Sequence, residues 1–232
     1  MNKDFQNELK EYILSLGASD AGFFDAGEDA PKPELRYGIT VVVRLSEDII
    51  AEIDDEPTLT YFNHYRQVNA LIDRILLQTG LFIQKKGYRY LTVAASQSMN
   101  KDGWNYEGRF SHKQGACLAG LGGIGRNSLF IHKDFGSLVR MGTVFTDCEF
   151  ECAGRLPLDP CGSCRACVEA CPAGAIKDTE FYYGIPREEI FDPEKCSEYM
   201  KKEFQKIGRG AVCGICMRVC PKNKLDCEVS QC

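Results

Sequence analysis

Hydrophobic and polar positions in the first part of the chain follow two periods in alternation. Over residues 3–16, Phe5, Leu9, Tyr12, Ile13 and Leu16 fall on one face at helical spacing, and Gly17 supplies a stop. A short extended piece around Ala21–Phe24 precedes the loop GEDAPKPE. Ile39–Leu45 (ITVVVRL) is a β-branched run of strand length, expected to be buried on both faces. The helical period returns over 61–79 through Phe62, Tyr65, Val68, Ile72, Ile75 and Leu76, with Gly80 expected to close the helix. Tyr88–Ala94 reads as a strand, 112–119 as a helix and Leu138–Thr146 as a further strand. Strands alternating with long helices predict an α/β layer structure. His64 is placed on the polar face of its helix, without a role.

From Cys148 the texture changes. TDCEFECAGRLPLDP reads as a linker, which divides the chain into an α/β domain over 1–152 and a second domain over 153–232. In the second part cysteines replace hydrophobic periodicity as the organising feature. CGSCRACVEACP, Cys161–Pro172, has the C-x2-C-x2-C-x3-C-P spacing of bacterial [4Fe–4S] ferredoxins, in which the fourth cysteine serves the neighbouring cluster. A second run, CGICMRVCP over Cys213–Pro221, answers it, but Gly210 stands where its first cysteine belongs. Asp192-Pro193 predicts an N-cap and first helical position, with the helix running to about Ile207 and Gly208 ending it. Cys196 then lies near a helix start, where the dipole favours a thiolate, and it fills the gap.

Crossing the fourth cysteine of each run assigns Cys161, Cys164, Cys167 and Cys220 to one cluster and Cys171, Cys196, Cys213 and Cys216 to the other. Of thirteen cysteines, five remain. Cys117 belongs to a helix core, and Cys148, Cys152, Cys227 and Cys232 are read as surface or packing cysteines, with a further metal site or redox pair as the alternative. A disulfide framework fits poorly with an odd count and no export signal. Zinc is the competing metal, since CxxC pairs also build zinc knuckles.

The formal net charge of −5 does not point to a duplex-binding surface. The charged N-terminus has neither an apolar signal region nor a twin-arginine, and no segment reaches the roughly 18 uncharged apolar residues of a membrane helix. A soluble, cytoplasmic protein is expected. GLGGIG, Gly120–Gly125, satisfies G-x-G-x-x-G, but the dinucleotide turn needs a strand before it and a helix after it, and the flanks supply neither. Such a loop still lets backbone approach something flat or bulky.

AGLGGIGRNSLFIHKDFGSLVRMGTVFTD, CGSCRACVEACPAGAI, the single helix cysteine and CGICMRVCPKNK together resemble the epoxyqueuosine reductases, over about Tyr88 to Lys224; upstream only the element order agrees. That family reduces the epoxide of a tRNA wobble nucleoside with cobalamin and two [4Fe–4S] clusters, and the reductive dehalogenases share its architecture. The resemblance implies a nitroreductase-like, cobalamin-binding α/β domain followed by a bacterial ferredoxin-like double-cluster domain. Gly120, Gly122, Gly123, Gly125, Asn127 and Ser128 would line the corrinoid. The clusters would reduce cobalt, fed by a donor such as a ferredoxin or flavodoxin, and the substrate would be a small molecule or modified nucleoside. Three departures stand out. Where the family's proton-donating aspartate follows the strand, this chain has Ala95-Ser96-Gln97, and counting back from the glycine loop lands on Tyr106. The family's Glu-Arg pair is replaced by His112-Lys113. The C-terminal helical repeats that help many members hold tRNA are missing, and the net charge does not compensate, so tRNA is the less supported partner. Tyr106 and His112 are the candidate catalytic proton donors. The alternatives are an electron-transfer protein without substrate chemistry of its own and a zinc-stabilised interaction module.

Overall fold

The computed structural model describes residues 3–99, 106–156 and 160–223. In chain order the regular elements are α1 (Lys3–Ser15), β1 (Asp20–Asp25), β2 (Tyr37–Arg44), α2 (Glu47–Ala51), α3 (Leu59–Lys85), β3 (Tyr90–Val93), α4 (His112–Leu118), β4 (Gly122–Ile124), β5 (Phe130–His132), β6 (Val139–Thr146), α5 (Ala166–Glu169), α6 (Arg187–Ile190), α7 (Pro193–Glu203) and α8 (Ile215–Arg218). The architecture is mixed α/β. It divides into two units, Met1–Arg44 with Tyr65–Gly123 and Arg140–Leu158, and Leu45–His64 with Ile124–Val139 and Asp159–Cys232.

The first unit is built on a four-stranded sheet of order β1-β2-β6-β3. β1 pairs antiparallel with β2, Ala21 opposite Val41 and Phe23 opposite Ile39, and β3 pairs antiparallel with β6, Leu91 opposite Phe145. The β-branched run of β2 is buried at every position from Gly38 to Val43, as a strand covered on both faces requires. Phe5, Leu9 and Ile13 of α1 are buried, so the predicted stripe is the face that packs. Phe24, Phe110 and Phe145 form an aromatic centre, Phe110 edge-on to Phe145 at 4.8 Å and stacked on Phe24 at 5.8 Å. Gly38 makes room for it: a Cβ there would lie 2.1 Å from the Phe24 ring.

Two expectations about helix ends are corrected. Gly80 does not close its helix; α3 continues to Lys85 and stops at Gly87, whose φ of +91° suits the left-handed cap. The reason for a glycine at 80 is lateral, since the Tyr90 ring lies against it and a Cβ would sit 2.2 Å from Tyr90 Cδ2. Likewise α7 ends at Glu203 rather than near Ile207, and a separate 3-10 turn spans Gly208–Gly210.

In the second unit most elements are short, and the core is drawn from several segments: Ile50, Ile53 and Tyr61, then Ile131 and Leu138, then Ile176, Ile190, Phe204, Val212, Ile215 and Met217 are buried. The glycine stretch crosses from the first unit into the second, and its Gly122–Ile124 form β4 of the β4–β5 hairpin rather than a strand-to-helix turn. Among the described residues no helix is long and apolar enough to cross a membrane.

Replacing Gly80 by alanine tests the packing explanation. In an exposed helix the change would stabilise by about 1 kcal/mol. Against the Tyr90 ring it is expected instead to destabilise by roughly 1–3 kcal/mol, read as a lower urea midpoint, and Tyr90→Ala in the same chain is expected to relieve that clash.

Candidate functional site

The two cysteine runs fold alike. Cys167 lies in α5 and Cys216 in α8, one-turn helices after which the chain turns to Cys171 and Cys220. The Cys171 N–H bonds Val168 O at 3.4 Å and the Cys220 N–H bonds Met217 O at 3.2 Å, so each fourth cysteine closes the turn of its helix. Asp192 caps α7 through its Oδ1, which accepts from the Lys195 N–H at 3.0 Å, with Pro193 at the start as the sequence predicts.

Gly210 explains why the second run is short of a cysteine. Its φ is +68°, and a Cβ there would lie 2.4 Å from Met200 O and 2.7 Å from Lys201 Cα. No side chain fits at that position, because the end of α7 occupies the space. The same helix presents Cys196 one turn after its cap.

The sulfur atoms fall into two groups of four. Cys161, Cys164, Cys167 and Cys220 line one cavity together with Asn127, Ile131, Pro221 and Lys222. Burial pushes the Cys167 thiol up to about 11, and the neighbouring Cys161, Cys220 and Cys164 push it further the same way. Burial also pushes Cys196 up to about 12, with Cys213 and Cys171 adding to the effect. Cys216 is raised by burial and then by Cys213, Cys196 and Cys171. Each group thus contains one cysteine from the other run. Among the described residues no three His, Cys, Asp or Glu side chains converge on a point for a single ion; the thiols of the first group ring a void instead. Left to themselves these buried thiols would stay protonated at neutral pH, so four thiolates in one place require a compensating cation group. The donor chemistry therefore fits an iron–sulfur cubane in each group.

Backbone donors face the sulfurs. The Arg126 N–H lies 3.3 Å from Cys161 Sγ and the Ala175 N–H 3.4 Å from Cys171 Sγ. Arg126 is also buried as a side chain, donating to Gly162 O at 2.8 Å and to Asp178 O at 3.1 Å. Asn127 donates to Cys216 O at 3.2 Å and accepts from the Leu129 N–H, and Ser128 takes a left-handed backbone with φ +58°. Arg126 and Asn127, which follow the glycine stretch, thus support the cysteine cage. Gly120 and Gly125 are needed by the chain itself: a Cβ on Gly120 would lie 2.9 Å from Gly154 O, and one on Gly125 3.0 Å from Ile131. Gly122 and Gly123 are buried in β4.

The two expected proton donors stand differently. Tyr106 is half-buried with φ +54°. His112 has both ring nitrogens engaged, Nδ1 with Thr143 Oγ1 at 2.7 Å and Nε2 with Ala94 O at 2.9 Å, and burial holds its pKa below the ordinary value. To hand on a proton this ring would first have to break one of those bonds. His64 accepts the Ser46 N–H at its Nε2. Cys117 is fully buried, Cys148 is buried beside Tyr88 and Cys152 is exposed, while Cys227 and Cys232 lie outside the described residues.

A polar cluster that the periodicity did not single out sits at the end of β3. Arg140 lies over the Tyr65 ring at 4.4 Å, donates to Tyr65 Oη at 3.2 Å, to Ala95 O at 3.2 Å and to Asn69 Oδ1 at 3.0 Å. Ser96 Oγ is 3.5 Å from Tyr65 Oη. Burial alone would raise the Tyr65 pKa, but the Arg140 charge and the hydrogen bonds of Ser96 and Asn69 outweigh it and hold the phenol below its usual range. Tyr65 reads as one of a helix stripe in the sequence; only the fold brings Arg140, far along the chain, onto it.

Comparison with known proteins bears on the fold and on the cysteine-rich region. Residues 160–223 match the model of a 4Fe-4S double cluster binding domain. An epoxyqueuosine reductase of Cyclobacterium marinum is 31% identical over 124 residues, covering 49% of this chain and 37% of that protein. The epoxyqueuosine reductase of Lactococcus garvieae is 33% identical over 119 residues, 47% and 31% of the two chains. The chain thus spans about a third of the length of these curated relatives. Among solved structures, a reductive dehalogenase whose structure suggests a mechanism for B12-dependent dehalogenation superposes with a TM-score of 0.76 at 19% identity, over 94% of this chain and 31% of that one. The epoxyqueuosine reductase of Streptococcus thermophilus gives 0.62 at 21% identity, over 96% and 66%. The chain has the fold of these proteins and resembles the epoxyqueuosine reductases in sequence over half its length.

The engaged His112 ring gives a pH dependence of defined sign. The folded state keeps the ring neutral while the unfolded chain protonates near pH 6.5, so below that pH the unfolded state binds more protons. Stability is expected to fall as pH drops from about 6.5 toward the lowered folded value. His112→Gln is expected to cost about 1–2 kcal/mol at pH 7 and to flatten this acid slope, as read from denaturation midpoints at pH 7.5 and about 5.5.

Proposed function

We propose that this chain is an iron–sulfur reductase of the epoxyqueuosine reductase type. In this reading Cys161, Cys164, Cys167 and Cys220 hold one [4Fe–4S] cluster, Cys171, Cys196, Cys213 and Cys216 hold the other, and a corrinoid is bound by the α/β part. The observation that carries the reading is the interleaving of two four-thiol groups, each completed by a cysteine of the opposite run. When bound, such clusters supply single electrons at low potential and a corrinoid supplies a nucleophilic metal. The corrinoid rests on the likeness to a dehalogenase described as B12-dependent, and not on Gly120 and Gly125, whose missing Cβ atoms are accounted for by the chain's own packing.

The chain's contribution to chemistry is placement and a proton. Reduction of an organic electrophile, a small molecule or a modified nucleoside, consumes protons as well as electrons. Tyr65 Oη is the atom best prepared to hold one, because Arg140 favours the phenolate left behind when the proton departs. Ser96 adds a second hydroxyl at the position where the resemblance places the relatives' carboxylate. His112, through Ala94 O and Thr143, fixes the segment that carries Ala95 and Ser96. Tyr106 follows the same segment and remains the alternative donor.

Three measurements test the reading. Anaerobically reconstituted protein is expected to carry about eight iron and eight sulfide per chain, falling to about half in Cys196→Ser; zinc without sulfide would sink it. Anaerobic titration with hydroxocobalamin is expected to saturate near one per chain, and an absence of binding would remove the corrinoid. An ultraviolet pH titration is expected to show a phenol ionising below the ordinary tyrosine range of about 10, missing in Tyr65→Phe and moved upward in Arg140→Gln.

A further inference from the structure

Among the described residues Arg126 is the buried arginine or lysine at the cysteine cage: its side chain is 7% exposed. Its guanidinium is fixed on Gly162 O, the residue after Cys161, while its own N–H faces Cys161 Sγ. The counter-charge is incomplete. Asp178 lies 3.3 Å from Arg126 Nη1 but is shared with Arg165, whose Nη1 is 2.8 Å away. Glu180 is 3.9 Å from Nη2 yet 76% exposed, where solvent screens it. Nε is buried and meets no acceptor among the described residues. At the other four cysteines the fixed charge that acts on Cys196 has the opposite sign: Asp192 caps α7 one turn before Cys196, with Lys195 only at 3.9 Å from its carboxylate and 61% exposed.

Resting on the proposed cluster ligation, we infer that Arg126 makes the cubane held by Cys161, Cys164, Cys167 and Cys220 the higher-potential one of the two. Adding one electron to a four-thiolate cubane takes its overall charge from −2 to −3, with no bond made or broken and no proton required. A buried cation beside it stabilises the more negative state. The carboxylate beside the second group opposes the same step there. The two clusters are then unequal, and an electron delivered by a one-electron reductant settles on the first. Arg126 is a positioning and tuning residue in this account, not a catalytic one.

The test is an EPR-monitored redox titration of the full reconstituted chain with dithionite, the second cluster's signal being identified as the one lost or altered in Cys196→Ser. The expected result is two resolved midpoints, the higher belonging to the unaltered signal. Arg126→Gln should lower that midpoint by at least a tenfold change in the reduction equilibrium, about 59 mV for one electron, and leave the other in place. Arg126→Lys, which keeps the charge, should move it much less. Asp178→Asn should move the same midpoint upward, a shift of opposite sign that loosening of the cage would not produce and that stands if Arg126→Gln fails to hold its clusters. Equal midpoints in the parent protein, or variants that shift neither signal or both alike, would overturn the inference. A parent protein that holds no clusters would instead overturn the proposed function.

Discussion

A thiolate is costly to bury, and this chain gathers eight cysteine sulfurs into two groups in its second unit. Much else in that unit follows from the cost. Backbone N–H groups are turned toward Cys161 and Cys171, two one-turn helices set Cys167 and Cys216, and an arginine is held inside by carbonyls. Hydrophobic burial alone would not select such an arrangement, because every raised thiol pKa is free energy spent against ionisation. On the proposed ligation the fold of this unit is tied to what the sulfurs would hold, as in small metal domains whose binding energy is also folding energy.

The cysteine spacing was the most legible part of the chain, for a chemical reason. Ligand geometry is local, so C-x2-C-x2-C-x3-C survives as a pattern in sequence, and the N-cap at Asp192 is equally local. The stripe of α1 and the β-branched run of β2 were legible because burial imposes a period. What escaped was set by contacts distant in sequence. Gly80 looks like a helix stop until Tyr90 is seen lying on it. The β4–β5 hairpin has strands of three residues, two of those in β4 being glycine and each strand holding a single β-branched residue, too little to announce itself. Gly210 reads as a defect in a motif, whereas the end of α7 makes it the only residue type that fits.

The same distinction applies to the polar cluster of the first unit. The cysteine groups follow from local spacing, whereas the Tyr65–Arg140 pair put forward above for proton transfer does not. Tyr65 belongs to a helix stripe and Arg140 to a strand, and their pairing exists only because β3 and β6 lie side by side while α3 runs past them. His112 carries the side chain with the most suitable intrinsic pKa, yet both its nitrogens are committed to Thr143 and Ala94. A suitable residue type is a weaker guide to proton chemistry than the bonds it already makes.

Interleaving the two cysteine runs also sets a timetable. On the proposed ligation, the group begun by Cys161 is finished only by Cys220, and the group begun by Cys171 only by Cys216. A ribosome making this chain would expose three ligands of the first group long before the fourth, and neither cage would close until both were nearly complete. Metal loading is then a single late event rather than two successive ones, and a chain halted between Cys171 and Cys213 would offer incomplete cages at both sites. The crossing that unites the two sites in space also makes them one step in biosynthesis.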